Sequence, residues 1–282
     1  MIRSNLILHG GLGNQLFQLF FALNKLKGDS KLLRIIIANK KYPNQLDLIN
    51  ILDKHKIKKI KIIRINSLFF KLISKINYLP KIILDYLYIV TDRNSFEALE
   101  KRSNPLIIYG YFQDLNLLNK NHISDLIIPE LKNKKTNIKE LKTLGIHIRR
   151  GDYLKKRHFS THGIISIEYI FKNFVEIFKN FSLIKIYSDS DIKDEFIENY
   201  RKYLGDEYYL KTTLLFSFDK NKSDKEVFLD MTRNDILVCT NSTFSYWAGF
   251  LSSRVKKIYL PIQWYYYQKI NEGLIHPKVT LY

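Results

Sequence analysis

The sequence predicts an α/β protein built from two parallel-sheet regions, and three observations carry that expectation. Short, continuous apolar runs rich in Ile and Val recur along the chain, as suits strands covered on both faces. Segments with helical spacing alternate with them in both halves, the pattern of repeated βαβ units. A strand-like run leads through a glycine turn into a helix near the start, and through hydroxyl residues into a helix near the end.

Each element can be justified in order. Asn5-Leu6-Ile7-Leu8 is a short strand, His9-Gly10-Gly11-Leu12-Gly13 a turn, and Asn14 to Leu23 a segment with helical spacing. Ile35 to Ala38 and Leu106 to Tyr109 are further buried strands. Lys132 to Glu140 is polar and without apolar period, so it reads as a linker between residues 1–140 and 141–282. In the second region the strands are Leu144 to Ile148, Ile184 to Tyr187, Asp235 to Cys239 and Val255 to Leu260. Helices are expected over Ser166 to Phe181 and Ser242 to Ser252.

Composition bounds the function. A chain of 282 residues with 46% apolar side chains can bury a core, at roughly 100–200 residues per domain, and is neither disordered nor fibrous. The formal charge is +19, concentrated in residues 1–140 with 24 Lys and Arg against 11 Asp and Glu. Anionic partners are therefore favoured: phosphate-bearing ligands, nucleic acid or an anionic membrane surface. A lone Cys239 excludes an internal disulfide, and no apolar run reaches the ~18 residues of a membrane span. With no secretory apolar core at its start, the chain is expected in the cytoplasm. Residues 54–84 carry nine Lys and Arg and no acid. That stretch is either the solvated face of a lysine-rich domain or a surface resting on an anionic inner membrane.

Four segments can carry chemistry. The turn Gly10 to Asn14 offers unhindered backbone amides at a helix start, or is simply a tight turn; it lacks the spacing of a dinucleotide or P-loop signature. His147-Ile148-Arg149-Arg150-Gly151-Asp152-Tyr153 lies just past a strand, where open α/β sheets bind ligands. A guanidinium there can grip a diphosphate through paired hydrogen bonds, or can be a structural partner of Asp152. Strand alternation puts His147 and Arg149 on one side and Arg150 elsewhere, which favours Arg149 as the ligand. Ser188-Asp189-Ser190-Asp191 places a carboxylate where it could read a ribose or purine edge, or cap a helix. Asn241-Ser242-Thr243-Phe244-Ser245 begins a helix with hydroxyls that suit an anion. No carboxylate set has metal-ligand spacing, so no metal is expected.

In this order, Gly10-Gly11-Leu12-Gly13-Asn14-Gln15, Gly110-Tyr111-Phe112-Gln113, the His147 to Tyr153 segment, Ser188-Asp189 and Asn241 to Trp247 resemble bacterial α-(1→2)-fucosyltransferases of glycosyltransferase family 11. The resemblance implies a GT-B fold: two Rossmann-like domains facing across a cleft, residues 1–140 on the acceptor side and 141–282 on the donor side. It implies inverting, metal-independent transfer of L-fucose from GDP-β-L-fucose, with no further cofactor, to a galactose hydroxyl of a surface polysaccharide. By the same resemblance Arg149 holds the β-phosphate with His147 and Arg150 nearby, and Asp189 contacts guanine. Ser242, Thr243, Phe244 and Ser245 make the pyrophosphate contacts and Asn14 one near the transferred sugar, with Gly11, Gly13, Gln15 and Asn241 also binding substrate. For the catalytic base Asp152 is favoured, with Asp114 and His162 as alternatives. Tyr246-Trp247 stands where many relatives carry two tryptophans, and Gln113 is not followed by the usual Ser-Glu. The competing class, a nucleic-acid-binding protein, draws on the charge and on 19 Tyr and 18 Phe. Those aromatics lie mostly in apolar runs, so nucleic acid is not an expected partner.

Overall fold

The computed structural model describes residues 4–26, 33–38, 60–100, 105–118, 123, 142–154, 162–218 and 222–282. The chain divides into two compact units, Met1–Pro129 and Glu130–Tyr282. The division falls upstream of the boundary expected at residue 140, and the linker read at 132–140 lies outside the described residues.

The first unit contains β1 (Ser4–Ile7), α1 (Leu12–Lys25), β2 (Leu33–Ala38), β3 (Ile60–Ile65), α2 (Ser67–Ile73), α3 (Lys81–Tyr86), β4 (Ile89–Val90), α4 (Ser95–Glu100) and β5 (Ile107–Ile108). Its strands form one parallel sheet in the order β3-β2-β1-β5-β4. The apolar side of α1, including Leu16, Phe17, Leu19, Phe20 and Phe21, is buried throughout. Phe21 stacks on Phe112 with ring centroids 4.0 Å apart, which ties α1 to the chain beyond β5.

That chain is held by a carboxylate. Asp92 Oδ1 accepts hydrogen bonds from the Tyr111 and Phe112 amides at 3.0 and 2.6 Å. A Cβ on Gly110 would fall 2.8 Å from Asp92 Oδ2, so glycine is required for the approach. Phe112 then takes a left-handed backbone with φ of 52°. Asp92→Ala leaves these amides without their acceptor and is expected to cost about 2 kcal/mol, measured as a lowered urea midpoint.

The second unit contains β6 (Thr143–Ile148), α5 (Ile167–Phe178), β7 (Leu183–Ser188), α6 (Lys193–Leu204), α7 (Asp206–Lys211), β8 (Thr213–Phe218) and α8 (Asp224–Met231). It continues with β9 (Ile236–Cys239), α9 (Thr243–Leu251), β10 (Lys257–Leu260), a small antiparallel pair β11 (Gln263–Tyr265) and β12 (Gln268–Lys269), and β13 (Val279–Leu281). The main sheet is parallel with order β13-β10-β9-β6-β7-β8. Counted within this unit that is the 3-2-1-4-5-6 order of a doubly wound nucleotide-binding fold.

Local sequence explains these elements. Ser166 caps α5 by accepting from the Tyr169 amide at 3.1 Å, and Ile167, Ile170, Phe171, Phe174 and Phe178 recur at helical spacing on its buried face. All six residues of β6 are buried. Leu144, Ile146 and Ile148 pack with α5 and α6 through Phe171, Phe174, Phe196 and Tyr200. Gly145 and His147 point to the opposite face, where a Cβ on Gly145 would meet Leu237 at 2.5 Å. The period-two pattern thus makes a core on one face and a functional contact on the other.

The segment 54–84 is described from residue 60 onward. Residues 60–65 form an edge strand of the sheet, and 67–73 and 81–86 form short helices, so the segment is a sheet edge followed by a crossover. Residues 54–59 lie outside the described part.

Candidate active site

In the second unit the strand order reverses between β6 and β9, and ligands of such sheets bind beyond the carboxyl ends of the strands at that point. Arg149 is the first residue after β6 there. The Thr240 amide donates to His147 O at 3.0 Å, and Thr240 Oγ1 accepts from the Arg149 amide at 2.9 Å, which stitches the two strand ends together.

The Arg149 guanidinium is about one-third exposed, at 35%, with Nη1 3.0 Å from Asp189 Oδ2 and its carbon 5.6 Å from the Tyr153 ring centroid. Asp189, one residue past β7, uses its other oxygen to accept from the Arg150 and Gly151 amides at 2.8 and 2.9 Å. One carboxylate therefore orients the arginine and pins the turn that follows it. Asp92 in the first unit likewise accepts from two consecutive amides, those of Tyr111 and Phe112. Both Asp189 oxygens have partners in and beside the turn: Oδ2 the Arg149 guanidinium, Oδ1 the two amides.

Gly151 is required at this turn, because a Cβ would lie 2.4 Å from Asp189 Oδ2. Gly151→Ala is expected to push Asp189 aside, costing about 1–3 kcal/mol in stability and lowering turnover. The urea midpoint and the rate of nucleotide release check both effects.

Arg150 reaches α6. Its Nη1 and Nη2 donate to Glu195 Oε2 and Oε1 at 2.5 and 2.6 Å, a bidentate pair with the first turn of α6. Arg150 is thus tied to Glu195. Nothing local in the sequence signals a partner 45 positions away. Asp152 belongs to the short 3-10 turn Gly151–Leu154, and its side chain lies outside the described part.

His147 is buried, with Nδ1 2.9 Å from Ser245 Oγ. Ser245 Oγ lies 3.3 Å from Ser242 O, so a single pattern satisfies both: Nδ1–H donates to Ser245, whose proton goes to Ser242 O. Burial, reinforced by the Arg149 charge, pushes the imidazole pKa down to about 4, so His147 is neutral at pH 7. Ser245 is fully buried and holds His147.

Asn241 braces the loop above this point. Its Nδ2 donates to His162 O and Trp264 O at 2.8 and 3.0 Å, while its Oδ1 is buried without a hydrogen-bond partner. Tyr153 donates to Asn241 O at 3.2 Å and stacks on His162 with centroids 4.5 Å apart. The Tyr265 ring, tilted by 37°, lies 5.4 Å from that of His162. Ser242 precedes α9 but makes no side-chain bond to its first turn, so the amide end of this helix is not closed by its cap. Phe244 is half-buried against Phe228, 5.4 Å away, and Thr243 is half-buried beside it. Cys239 is buried and its thiol is pushed up to about 12, so it is a packed strand residue and not a nucleophile.

In the first unit the turn after β1 has its own brace. The Gln18 side chain accepts from the His9 amide at 3.1 Å and donates to His9 O at 3.1 Å. Gly10 takes a φ of 76°, and Gln15 Nε2 donates to its carbonyl at 2.9 Å. Gln15 is buried and supports the turn. Gly11 is exposed with open space where a Cβ would stand, whereas Gly13 is buried inside α1. Asn14 is half-buried and its Oδ1 accepts from Gln113 Nε2 at 2.9 Å, joining two of the recognised motifs. Asp114 caps a short 3-10 turn by accepting from the Asn116 amide at 2.8 Å.

The spacing of motifs and the strand order have independent counterparts among known proteins. An O-antigen biosynthesis glycosyltransferase of Escherichia coli, WbnK, is 30% identical over 92% of this chain and 93% of its own length. The E. coli ADP-heptose LPS heptosyltransferase II structure has a TM-score of 0.51 at 10% identity, covering 100% of this chain and 90% of the other. A family 9 glycosyl transferase from Veillonella parvula also has a TM-score of 0.51, at 11% identity over 99% and 86% of the two chains. These likenesses show the fold, an α/β architecture of the GT-B type with two Rossmann-like domains. Residues 49–272 match Glycosyl transferase family 11, a span that contains the arginine, Ser-Asp and Asn-Ser-Thr motifs. On that match, and on the identity shared with WbnK, the chain belongs to glycosyl transferase family 11 and is a glycosyltransferase.

Proposed function

We propose that the protein transfers L-fucose from GDP-β-L-fucose to a galactoside hydroxyl with inversion, forming an α-1,2 linkage in O-antigen assembly. The observation that carries this reading is the part-exposed Arg149 guanidinium, fixed by Asp189 at the strand-order reversal, on a residue whose amide donates to Thr240 Oγ1 just before α9. As the C1–O bond breaks, the sugar becomes oxocarbenium-like and GDP gains negative charge. A fixed guanidinium and helix-end amides stabilise that charge without a divalent ion. Neutral His147 adds no competing charge beside the arginine; its hydrogen bond with Ser245 ties β6 to α9.

The acceptor oxygen forms the new bond to C1 while its proton passes to a base, for which Asp152 is the proposed group. Asp114 already caps a turn, and His162 is stacked on Tyr153. The O-antigen context rests on the name carried by WbnK, and the donor on the family resemblance. Incubating the purified protein with GDP-fucose and a panel of galactosides in EDTA tests the proposal. GDP release with a 2-linked fucose in the product is the expected result. Strict dependence on added magnesium would overturn the metal-independent mechanism, another linkage the α-1,2 assignment, and transfer only from another nucleotide sugar the donor.

A further inference from the structure

We propose that Tyr153 is a positioning residue for the transfer reaction: its ring sets the plane of the Arg149 guanidinium, and its hydroxyl sets the place of that guanidinium against the amino end of α9. The inference rests on the reading of Arg149 as the group that neutralises the departing diphosphate.

A contact through one nitrogen fixes that nitrogen but not the plane of a flat cation. Asp189 Oδ2 provides such a contact, 3.0 Å from Arg149 Nη1. The Tyr153 ring adds a restraint on the face of the group. The guanidinium carbon lies over that ring, 5.6 Å from its centroid and inside the ~6 Å within which an aromatic face attracts a cation. The chain comes back for this contact through the 3-10 turn Gly151–Leu154, which is closed by the Leu154 amide donating to Arg150 O at 3.0 Å.

The ring is itself held. Tyr153 is half-buried, lies parallel to His162 within 4°, and donates its hydroxyl to Asn241 O at 3.2 Å. The Asn241 side chain donates in turn to His162 O at 2.8 Å, so hydroxyl, stack and carboxamide close a circuit of contacts. The target of the hydroxyl matters most. The Arg149 amide is bonded to Thr240 Oγ1 and the Tyr153 hydroxyl to Asn241 O, so the turn that carries the guanidinium is tied at both ends to the consecutive residues that lead into α9. Ser242 makes no side-chain bond to the first turn of that helix. Tyr153 thereby sets the guanidinium and the helix-end amides against one another, and growing charge is stabilised best by donors already in place. A residue that only filled space would need the ring and not the hydroxyl.

Steady-state GDP release from GDP-fucose tests the proposal in Tyr153→Phe, Tyr153→Leu, Arg149→Lys and the Arg149→Lys/Tyr153→Leu double variant. Tyr153→Phe keeps the ring and loses the hydroxyl, so kcat should fall about threefold. Tyr153→Leu loses both, and kcat should fall about thirtyfold. The KM for GDP-fucose should change less than about threefold in either, because the charge concerned grows only as the bond to the sugar breaks. Added to Arg149→Lys, Tyr153→Leu should lower kcat by less than about threefold more, since the flat cation it orients is gone. A role in folding alone would lower activity by the same factor in both backgrounds, and urea midpoints report the folded state. Wild-type kcat in Tyr153→Leu, or a loss that multiplies in full with that of Arg149→Lys, would overturn the proposal while the reading of Arg149 stands. Unchanged kcat in Tyr153→Phe would overturn the part given to the hydroxyl. Full turnover in Arg149→Lys would overturn that reading and this inference with it. If transfer requires another nucleotide sugar, the donor assignment alone falls, and the same variants are compared with that sugar.

Discussion

Arg149→Lys is expected to lower kcat about 100–1000-fold while the protein stays folded, because a lysine presents donors from a single nitrogen and cannot hold Asp189 and a diphosphate oxygen together. The effect should fall on turnover more than on the affinity for GDP, since the charge being stabilised grows only as the bond to the sugar breaks. Asp189→Asn should lose less, as it keeps the shape of the side chain while weakening its hold on Arg149 and on the Arg150 and Gly151 amides. Combined with Arg149→Lys it should add little, because both changes remove the same positioned guanidinium. GDP release in steady state, with circular dichroism as the check on folding, reads all three variants. Full turnover in Arg149→Lys would remove the arginine from the mechanism.

Acid should destabilise the protein through His147. Its folded-state pKa of about 4 lies below the ~6.5 of a free imidazole, so the unfolded chain takes up this proton first as pH falls. The sign follows: there is no contribution above about pH 6.5, a growing loss between there and pH 4, and no further loss below. Over that window the cost comes to about 3 kcal/mol. His9, also buried and also shifted downward by burial, acts in the same direction in the other unit. The difference between wild type and His147→Gln isolates the second-unit site. Urea midpoints from pH 4 to 8 should converge for the two proteins at low pH, and parallel profiles would contradict the assignment.

The two units use one device at corresponding places. Asp92 and Asp189 each lie just beyond a parallel strand, and each accepts from two consecutive amides of the neighbouring turn. Gly110 and Gly151 then lack a Cβ for the same reason, that a carboxylate occupies its place. Sequence offers a signal for this in retrospect: an aspartate directly after a strand paired with a glycine turn after another strand. Neither half of that signal is informative alone, because aspartates after strands also cap helices.

Local pattern was sufficient to find the inner strands β1, β2, β5, β6, β7, β9 and β10 and the helices α1, α5 and α9, since continuous apolar runs and helical periods are written in adjacent residues. It missed the edge strands β3, β4, β8 and β13, which are two residues long or broken by polar residues. It also placed Arg149 in a ligand position from the general rule that such sheets bind beyond their strand ends. Which partner each side chain meets was decided only by the tertiary structure. Strand order, not sequence distance, brings residue 149 beside 189 and 240, Arg150 to Glu195, and His147 to Ser245. Neighbours along a chain share a backbone and reveal their conformation; neighbours across a sheet share only the packing that the whole fold imposes.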